Sequence, residues 1–484
     1  MSRTRFQEVT AIPAPGAHSR FRERLVSLRV ALMLLLLVAA TAATSPAQTF
    51  KTLYNFCSKS SGGYCTDGQN PNSPLVQGTN GDLYGTTVFG GDNGGNYGTV
   101  FKVTPAGKLT TLYSFCSQPS CTDGFGPQGA LLLATDGNFY GITNEGGAYN
   151  DGTVFKITAA GKLTMLHSFN GTDGGYPQAG LIQATNGNFY GTTSWGGAYD
   201  NGTAFEMTAS GTLTTLHSFC EESGCPDGTE LTSGLIQATD GNFYGTTYNG
   251  GYNPCGPGTF FQLTPSGTLT TLADFCAPNG FYPDSAPVQA ANGNFYGTTA
   301  AGGDGANTGY GTVYEMTPTG SATWLYSFCL QPGCADGEWP RAALALGPDG
   351  NFYGTTYGGS LSLGTVFEIT PAGQLTTLHT FAGSPSDGAN PIGALLLDTN
   401  GTFYGATWDG GKNGVGTIFS VATGLGPFVE TIPTSGAAKT KVTILGTNLT
   451  GATAVSFNGT SATFKVVGSS EIKRPCPPAQ PAAR

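Results

Sequence analysis

The chain has 484 residues, of which 76 are glycine and only 50 are charged, 20 of them Lys or Arg and 30 Asp or Glu. This composition excludes coiled coils and polyelectrolyte-type disordered chains, which need far more charge, and collagen, which needs glycine at every third position. Between Thr49 and Val421 there are 8 cationic and 26 acidic side chains, a net charge of −18. No basic face for a nucleic acid or an anionic membrane can be assembled from so few cations.

The N-terminal segment predicts an export signal. Four arginines between positions 20 and 29 lead into the apolar run Val30–Ala40. A run of about 11 residues is too short to cross a bilayer but has the length of a signal-peptide core. Small residues at Ser45–Ala47 suit cleavage, so we assign residues 1–47 to a signal peptide. The mature chain is then secreted or cell-surface, with no membrane span; an uncleaved amphipathic anchor is the alternative.

A repeat fills the next 370 or so residues and decides the fold class. The string Gly-Asn-Phe-Tyr-Gly-Thr-Thr recurs seven times with small changes, at successive spacings of 56, 50, 54, 52, 57 and 51 residues. A second string, Gly-Thr-Val-Phe-Lys-Ile-Thr, and a third, Leu-Thr-Thr-Leu-His-Ser-Phe, follow it, and a short apolar run precedes it. All four segments are rich in β-branched and aromatic residues and bounded by turn residues, which predicts strands A, B, C and D of one antiparallel sheet.

The ends of the repeat array predict how it closes. The seventh repeat stops after its strand C at Val421, whereas the mature chain begins with an isolated strand D at Thr49–Phe56. Pairing these two ends restores seven strands of each type and removes the exposed edges of an open array. We therefore predict an all-β fold, with residues 48–424 forming a seven-bladed β-propeller. An open β-solenoid is the alternative, and it does not explain the offset of the ends.

The repeated strings carry a family resemblance. Together they resemble the GloVer tandem repeat of bacterial "choice-of-anchor" exported proteins, a family that implies surface attachment through a variable C-terminal module and no known catalytic residues. Residues 425–473 resemble part of an IPT/TIG domain, an immunoglobulin-like sandwich, through segments such as Thr440–Asn448 and Val455–Gly459. Residues 474–484 have no strand pattern and are expected to be a disordered, proline-rich tail, which we attribute to a frameshift or premature stop.

The cysteines predict disulfides in the loops between strand D and the next strand A. Four pairs are close in sequence, and export makes their oxidation reasonable. Zinc would require four converging ligands, whereas these pairs lie in different repeats. Cys276 lacks a near partner, and Cys255 is its candidate; Cys476 is left over. The predicted pairs are Cys57/Cys65, Cys116/Cys121, Cys220/Cys225, Cys329/Cys334 and Cys255/Cys276.

Catalytic chemistry finds little support in the sequence. His167, His217 and His379 occupy one position of strand D, where other repeats carry tyrosine or alanine, so we interpret them as structural. No histidine remains for a catalytic triad or a zinc-hydrolase site. One aspartate per repeat, before glycine in the D–A loop, is expected to form an Asx-type turn rather than a calcium site. We expect no cofactor, no metal and no catalytic residues.

The candidate binding residues are those that break the repeat. Aromatic and acidic side chains in the B–C loops would emerge on one rim, where they could stack on sugar rings; packing between blades is the alternative. A second outlier holds the lone arginine of the repeats beside an acid and a tryptophan, as a carboxylate-recognising pocket or a local salt bridge. The candidates are Phe89, Glu145, Trp195, Tyr248, Tyr357, Trp408 and Asp409, with Glu338 and Arg341 at the outlier.

These residues favour a non-enzymatic, monomeric surface or extracellular scaffold that binds a ligand on one rim. A polysaccharide or a cell-envelope component is the expected partner. The competing hypothesis is an extracellular carbohydrate-active hydrolase or lyase that uses acids such as Glu145 or Glu338, and a third is a purely structural envelope protein. An enzyme should bring two carboxylates from outside the repeat pattern into one pocket, whereas a scaffold should surround its channel with repeat residues.

Overall fold

The computed structural model describes residues 48–252, 257–276, 280–303, 309–359, 363–433, 441–457 and 460–475. Within these ranges the regular structure is β, apart from three-residue 3₁₀ turns at Pro119–Cys121, Pro332–Cys334 and Leu449–Gly451. None of the described helices is long and apolar enough to cross a membrane. The all-β prediction is confirmed.

Seven four-stranded antiparallel sheets, numbered 1 to 7 in chain order, repeat the predicted order of strands A, B, C and D. The A strands are Val76–Gln77, Leu132–Leu133, Ile182–Gln183, Ile236–Gln237, Val288–Gln289, Ala345–Leu346 and Leu396–Leu397. The B strands are Leu83–Thr87, Phe139–Thr143, Phe189–Thr193, Phe243–Thr247, Phe295–Thr299, Phe352–Thr356 and Thr402–Thr407. The C strands are Thr99–Val103, Thr153–Ile157, Thr203–Met207, Thr259–Leu263, Thr312–Met316, Thr365–Ile369 and Thr417–Ala422. The D strands are Leu109–Ser114, Leu163–Ser168, Leu213–Ser218, Leu269–Asp274, Ala322–Ser327, Leu375–Thr380 and, in sheet 7, Thr49–Asn55.

Neighbouring sheets pack face to face through their B strands, as propeller-like blades do. The tyrosine of one B strand lies over the phenylalanine of the next, for example Tyr140 over Phe189 with ring centroids 4.1 Å apart. The glycine after this tyrosine leaves room for a ring of its own sheet: a Cβ on Gly141 would lie 2.5 Å from the Phe155 ring. The repeated Phe-Tyr-Gly therefore specifies packing within and between sheets.

Strand D of sheet 7, Thr49–Asn55, precedes sheet 1 in the sequence, whereas the other D strands follow strand C of their own sheet. Thr49 pairs with Ala422 and Asn55 with Thr417 in an antiparallel ladder. Sheet 7 also contacts sheet 1 through Gln77, whose side-chain oxygen accepts a hydrogen bond from the Thr399 backbone N–H at 3.2 Å. The same glutamine contact joins sheets 2 and 3, where Gln183 accepts from the Thr135 N–H at 2.9 Å.

A smaller unit follows sheet 7. Its antiparallel sheet has the spatial order Glu430–Ile432, Lys441–Leu445, Glu471–Pro475, Lys465–Val466, and Ser456–Phe457 pairs with Thr460–Ser461 beside it. The last long strand runs two residues past the predicted boundary at 473, because it continues to pair with Lys441. The unit touches the A–B turns of the repeat sheets: the Phe428 N–H donates to the Thr399 carbonyl at 3.0 Å.

Further short strands lie within the loops. Ser60–Ser61 pairs with Tyr64–Cys65, and Gly388–Ala389 pairs with Asp409–Gly410. Disulfides join Cys57 to Cys65, Cys116 to Cys121, Cys220 to Cys225 and Cys329 to Cys334, with Cα atoms 4.0–4.6 Å apart. Cys276 is also disulfide-bonded, while Cys255 and Cys476 lie outside the described residues.

Candidate functional site

The B–C and D–A loops lie together on one rim, which we call the loop rim. In each sheet a D–A residue pairs through its backbone with a B–C residue, as Gly175 does with Trp195 and Glu338 with Gly358. The pairing follows from the antiparallel order, since both loops leave the sheet at the same end. The shared rim predicted for the B–C loops is thus also the rim of the D–A loops.

The D–A loops are held by a recurring contact between strand D and the aspartate of the loop. His167 contacts Asp173 with Nε2 and Oδ2 2.8 Å apart, and Tyr113 donates to Asp123 at 2.6 Å. Each carboxylate also accepts loop N–H groups, such as that of Asn170 at 3.0 Å. These histidines and aspartates hold the loops in place, so the structural interpretation of the histidines fits. The aspartates accept from residues that precede them in the chain, and not from the N–H two residues ahead that an Asx-type turn uses.

A cavity of about 530 Å³ opens on the loop rim across sheets 2, 3 and 4. Six of its eight lining residues have amide, hydroxyl or carboxylate side chains, and the other two are aromatic. The residues that line it are Asn144, Asp151, Tyr176, Gln178, Ser194, Trp195, Glu230 and Thr232. Carboxylates, amides, hydroxyls and aromatic faces thus converge on one space, without a lysine or arginine among them.

Two of the lining residues, Tyr176 and Glu230, have an unusual backbone conformation. Tyr176 and Glu230 occupy the same place in the D–A loops of sheets 3 and 4, and both have left-handed backbones, with φ of 50° and 55°. Asn70, Gly126 and Asn390 hold this place in sheets 1, 2 and 7, and these residue types tolerate the conformation well. Tyr282 and Trp339 hold it in sheets 5 and 6, with φ of 59° and 56°. A bulky side chain there costs of order 1–3 kcal/mol, and four of the seven loops carry one.

The walls of the cavity combine exposed aromatic surface with carboxylates. Trp195 is 44% exposed and meets Tyr176 edge to face, with centroids 5.9 Å apart. Burial and the neighbouring Asp173 carboxylate raise the pKa of Asp151. Glu230 accepts a hydrogen bond from the Asn249 amide at 2.8 Å. Asp151 and Glu230 both stand at positions that vary from repeat to repeat.

Next to the cavity, sheets 4 to 6 form an aromatic corner around Arg341. The Arg341 guanidinium lies over the Tyr357 ring at 5.0 Å from its centroid, and Tyr248 stacks on Tyr282 at 4.8 Å. Burial first, and the Asp284 carboxylate second, raise the pKa of Tyr248, with Arg341 acting in the opposite direction. Three predicted candidates, Tyr248, Tyr357 and Arg341, thus belong to one neighbourhood.

Other predicted candidates lie elsewhere. Phe89 and Trp408 meet edge to face at 6.0 Å between sheets 1 and 7, and Asp409 sits beside them, 3.5 Å from the Asn70 amide. Glu145 pairs with Phe125 through its backbone and does not line the cavity.

Glu338 is not placed for the role that the sequence suggested. It is 6% exposed and its carboxylate lies within 4.8 Å of the sulfurs of Cys329 and Cys334. Burial raises its pKa. Within the described residues no ion pair shorter than 4.0 Å joins Glu338 to Arg341. The expected local salt bridge is therefore not formed: Glu338 lies beside the sulfurs of Cys329 and Cys334, whereas Arg341 lies over the Tyr357 ring.

Of the predicted candidates, only Trp195 lines the cavity. Asp151 and Glu230 were not among the candidates, because the B–C loop candidates were taken from the residues before Gly-Gly. Asp151 instead lies just before strand C of sheet 2, and Glu230 lies in the D–A loop before sheet 4. A search for bulky residues where sheets 1, 2 and 7 have Asn or Gly would have found Tyr176 and Glu230, but also Tyr282 and Trp339 at the equivalent positions of sheets 5 and 6.

The fold and the loop rim define a repeat protein built of propeller-like blades, with a cavity of the size that a small ligand needs. Residues 40–186, 127–344 and 304–460 match the Gloeobacter/Verrucomicrobia repeat. The chain belongs to this family, which confirms the GloVer resemblance. No curated protein matches the sequence.

Solved structures with similar folds have little sequence identity to the chain. The extracellular domain of a protein assigned as a hybrid two-component system of B. thetaiotaomicron aligns with a TM-score of 0.50 and 11% identity, over 83% of this chain and 46% of that one. The chain thus spans less than half of that domain. A puromycin hydrolase aligns at 0.45 with 12% identity, over 86% and 58% of the two chains. A Xanthomonas campestris gluconolactonase aligns at 0.39 with 13% identity, over 79% and 92%. At these identities the similarity concerns the fold alone.

Proposed function

We propose that this protein is an exported, surface or extracellular β-propeller that binds a polysaccharide in the cavity of sheets 2 to 4, without catalysis. The observation that carries the proposal is the lining of the cavity. Sugars need hydrogen-bonding groups for their hydroxyls and an aromatic face for their C–H surface. Asn144, Gln178 and Ser194 supply the first, and Trp195 supplies the second.

The architecture within this proposal is a closed ring of seven blades followed by an immunoglobulin-like module of the IPT/TIG type. The contact between Gln77 and Thr399 repeats between sheets 1 and 7 the contact made between sheets 2 and 3. Tyr404 of sheet 7 packs in one core cluster with Leu83 of sheet 1, as tyrosines of other B strands pack on the next sheet. The small C-terminal sheet around Val442, Ile444 and Ile472 supports the second module.

Export fits the cysteines as well as the N-terminal segment. Disulfides persist in oxidising compartments and are rare in the cytosol. The structure holds four short-range disulfides in the D–A loops. A cell-surface or secreted location would expose the loop rim to external polysaccharides, and the C-terminal module would serve attachment.

A glycan array followed by titration calorimetry tests the binding function. We expect the mature chain to bind at least one polysaccharide, and Trp195→Ala to weaken that binding about tenfold through loss of one stacking contact. Trp324→Ala is the matched control, since Trp324 is similarly exposed, at 39%, on an outer strand D. Absence of any glycan hit, or equal losses in both variants, would contradict the proposal.

A second candidate function is hydrolysis of the bound polysaccharide. Asp151 and Glu230, both outside the repeat pattern, line one cavity, which is the arrangement that we expect of an enzyme. Glycosidases use such pairs at separations of about 5–10 Å, with the acid of raised pKa as proton donor. Release of reducing ends from a bound polysaccharide, lost in Asp151→Asn and in Glu230→Gln, would favour this function over binding alone.

A further inference from the structure

The charge around the cavity is one-sided. The loops of sheets 2 to 4 on this rim, residues 115–131, 144–152, 169–181, 194–202, 219–235 and 248–258, contain nine acidic residues and no lysine, arginine or histidine. An anionic polymer, such as a polyuronate or a sulfated glycan, would therefore be repelled from this part of the rim.

Two of these acids reach the cavity without a cationic partner. Within the described residues neither Asp151 nor Glu230 forms an ion pair shorter than 4.0 Å. In the part of the chain that the structure describes, the side-chain partner of Glu230 is the neutral Asn249 amide, at 2.8 Å. Asp151 is half-buried and Glu230 is exposed. Carboxylates without a counter-charge favour a ligand that carries positive charge to them.

The aromatic side chains of the same wall suit such a ligand. Trp195 presents an exposed indole beside Tyr176, and an aromatic face attracts an ammonium group as well as the C–H face of a sugar ring. Carboxylates and an aromatic wall together form a site for an ammonium group attached to a sugar.

We propose that the polysaccharide bound here is an amino sugar polymer with free ammonium groups, that is, a de-N-acetylated hexosamine chain. The inference rests on the proposed polysaccharide-binding function. The sugar ring lies against Trp195, and its ammonium group donates hydrogen bonds to Asp151 and Glu230. N-Acetylation would remove both the charge and the donors, so it abolishes this recognition.

Aromatic residues beyond the cavity extend the site for a chain of several sugars. Tyr149, Tyr199 and Tyr252 follow the Gly-Gly of the B–C loops in sheets 2, 3 and 4, the same sheets that form the cavity. They are 64%, 39% and 64% exposed. A polymer that leaves the cavity over this rim would meet further stacking surfaces, so affinity should rise with chain length.

Calorimetric titration with two probes tests the proposal: the β-1,4-linked glucosamine tetramer and its fully N-acetylated counterpart, at a pH where the amine is charged. We expect the free-amine tetramer to bind at least tenfold more tightly, and its affinity to exceed that of glucosamine itself. Asp151→Asn and Glu230→Gln should each reduce this preference about tenfold. Asp200→Asn is the control, because it removes the same charge from an exposed position in an adjacent loop of the same rim.

The outcomes separate this inference from the proposed function. If both tetramers bind equally, amino-sugar recognition is wrong while polysaccharide binding stands. If Asp200→Asn weakens binding as much as the two cavity variants, the attraction comes from the general charge of the rim and the inference is overturned. If neither tetramer binds and the glycan array is also empty, both proposals fall.

Discussion

At the scale of single residues, some positions combine a residue type with a backbone conformation or a degree of burial that is unfavourable for it. Tyr176 and Glu230 keep left-handed backbones where glycine or asparagine would fit more easily, and both face the cavity. Tyr282 and Trp339 have the same conformation at the equivalent positions and do not line the cavity, so the backbone strain alone does not single out the cavity residues. The sequence could show that these positions vary between repeats, but it could not show their φ angles or that they line one cavity with Asp151 across sheets 2, 3 and 4.

Asp398 gives the stability of the protein a predictable pH dependence. It is 2% exposed in the A–B turn of sheet 7, and burial raises its pKa to about 6, although the Asn400 N–H partly offsets this. The native state therefore holds its proton up to a higher pH than the unfolded chain, whose Asp has a pKa of about 4. The free energy of unfolding should fall by of order 2 kcal/mol as the pH rises from about 4 to above 6.

Asp398→Asn tests this effect, since an asparagine oxygen can still accept the Asn400 N–H bond. Urea denaturation at a series of pH values should show a flatter profile for this variant, and greater stability than the wild type above pH 6. The surface variant Asp200→Asn should keep the wild-type profile. A wild-type profile with no decline in this interval would contradict the burial argument.

At the scale of elements, the repeated strings predict strands B, C and D well, because alternating β-branched and aromatic residues between glycine turns leave few other options. The A strands are shorter than their apolar runs suggest, with two residues each. The B–C loops were predicted less well. Tyr248, Tyr357 and Trp408 follow strand B directly, whereas Phe89, Glu145, Trp195 and Asp409 are one residue further on and pair with the D–A loop. In an extended segment, a shift of one residue turns the side chain to the opposite side. Sequence spacing alone does not distinguish these two loop positions.

The glycine of strand B should be intolerant of any side chain. Gly141→Ala would place a methyl group 2.5 Å from the Phe155 ring and 2.9 Å from Leu131, so we expect a loss of about 1–3 kcal/mol in the free energy of unfolding from overpacking. Gly234→Ala is the control, since its nearest neighbour would be 3.5 Å away. Chemical denaturation of both variants checks the prediction, and equal stabilities would contradict the packing account.

At the scale of the whole molecule, the offset between the two ends of the repeat array indicates which strands pair to complete sheet 7. It predicts that Thr49–Asn55 supplies the outer strand of sheet 7, and this strand pairs with Thr417–Ala422 along its length. The sequence could not predict the cavity, which depends on four loops of three successive sheets meeting at one rim. It also placed the end of the last C-terminal strand too early, because proline at 475 does not prevent pairing at a strand end.

Removal of residues 48–55 from the mature chain should expose the edge of Thr417–Ala422. An unpaired edge promotes association between chains, so we expect the shortened protein to aggregate or to elute as oligomers in size-exclusion chromatography. The intact mature chain should elute as a monomer. A shortened protein that remains monomeric and unfolds as cooperatively as the intact one would show that the terminal strand does not close the fold.

The most direct test of amino-sugar binding is a crystal structure of the mature chain with a bound hexosamine oligosaccharide. We expect sugar density in the cavity of sheets 2 to 4, with one ring against Trp195 and an amino group between Asp151 and Glu230. Sugar bound only at another surface, with this cavity holding solvent, would contradict it.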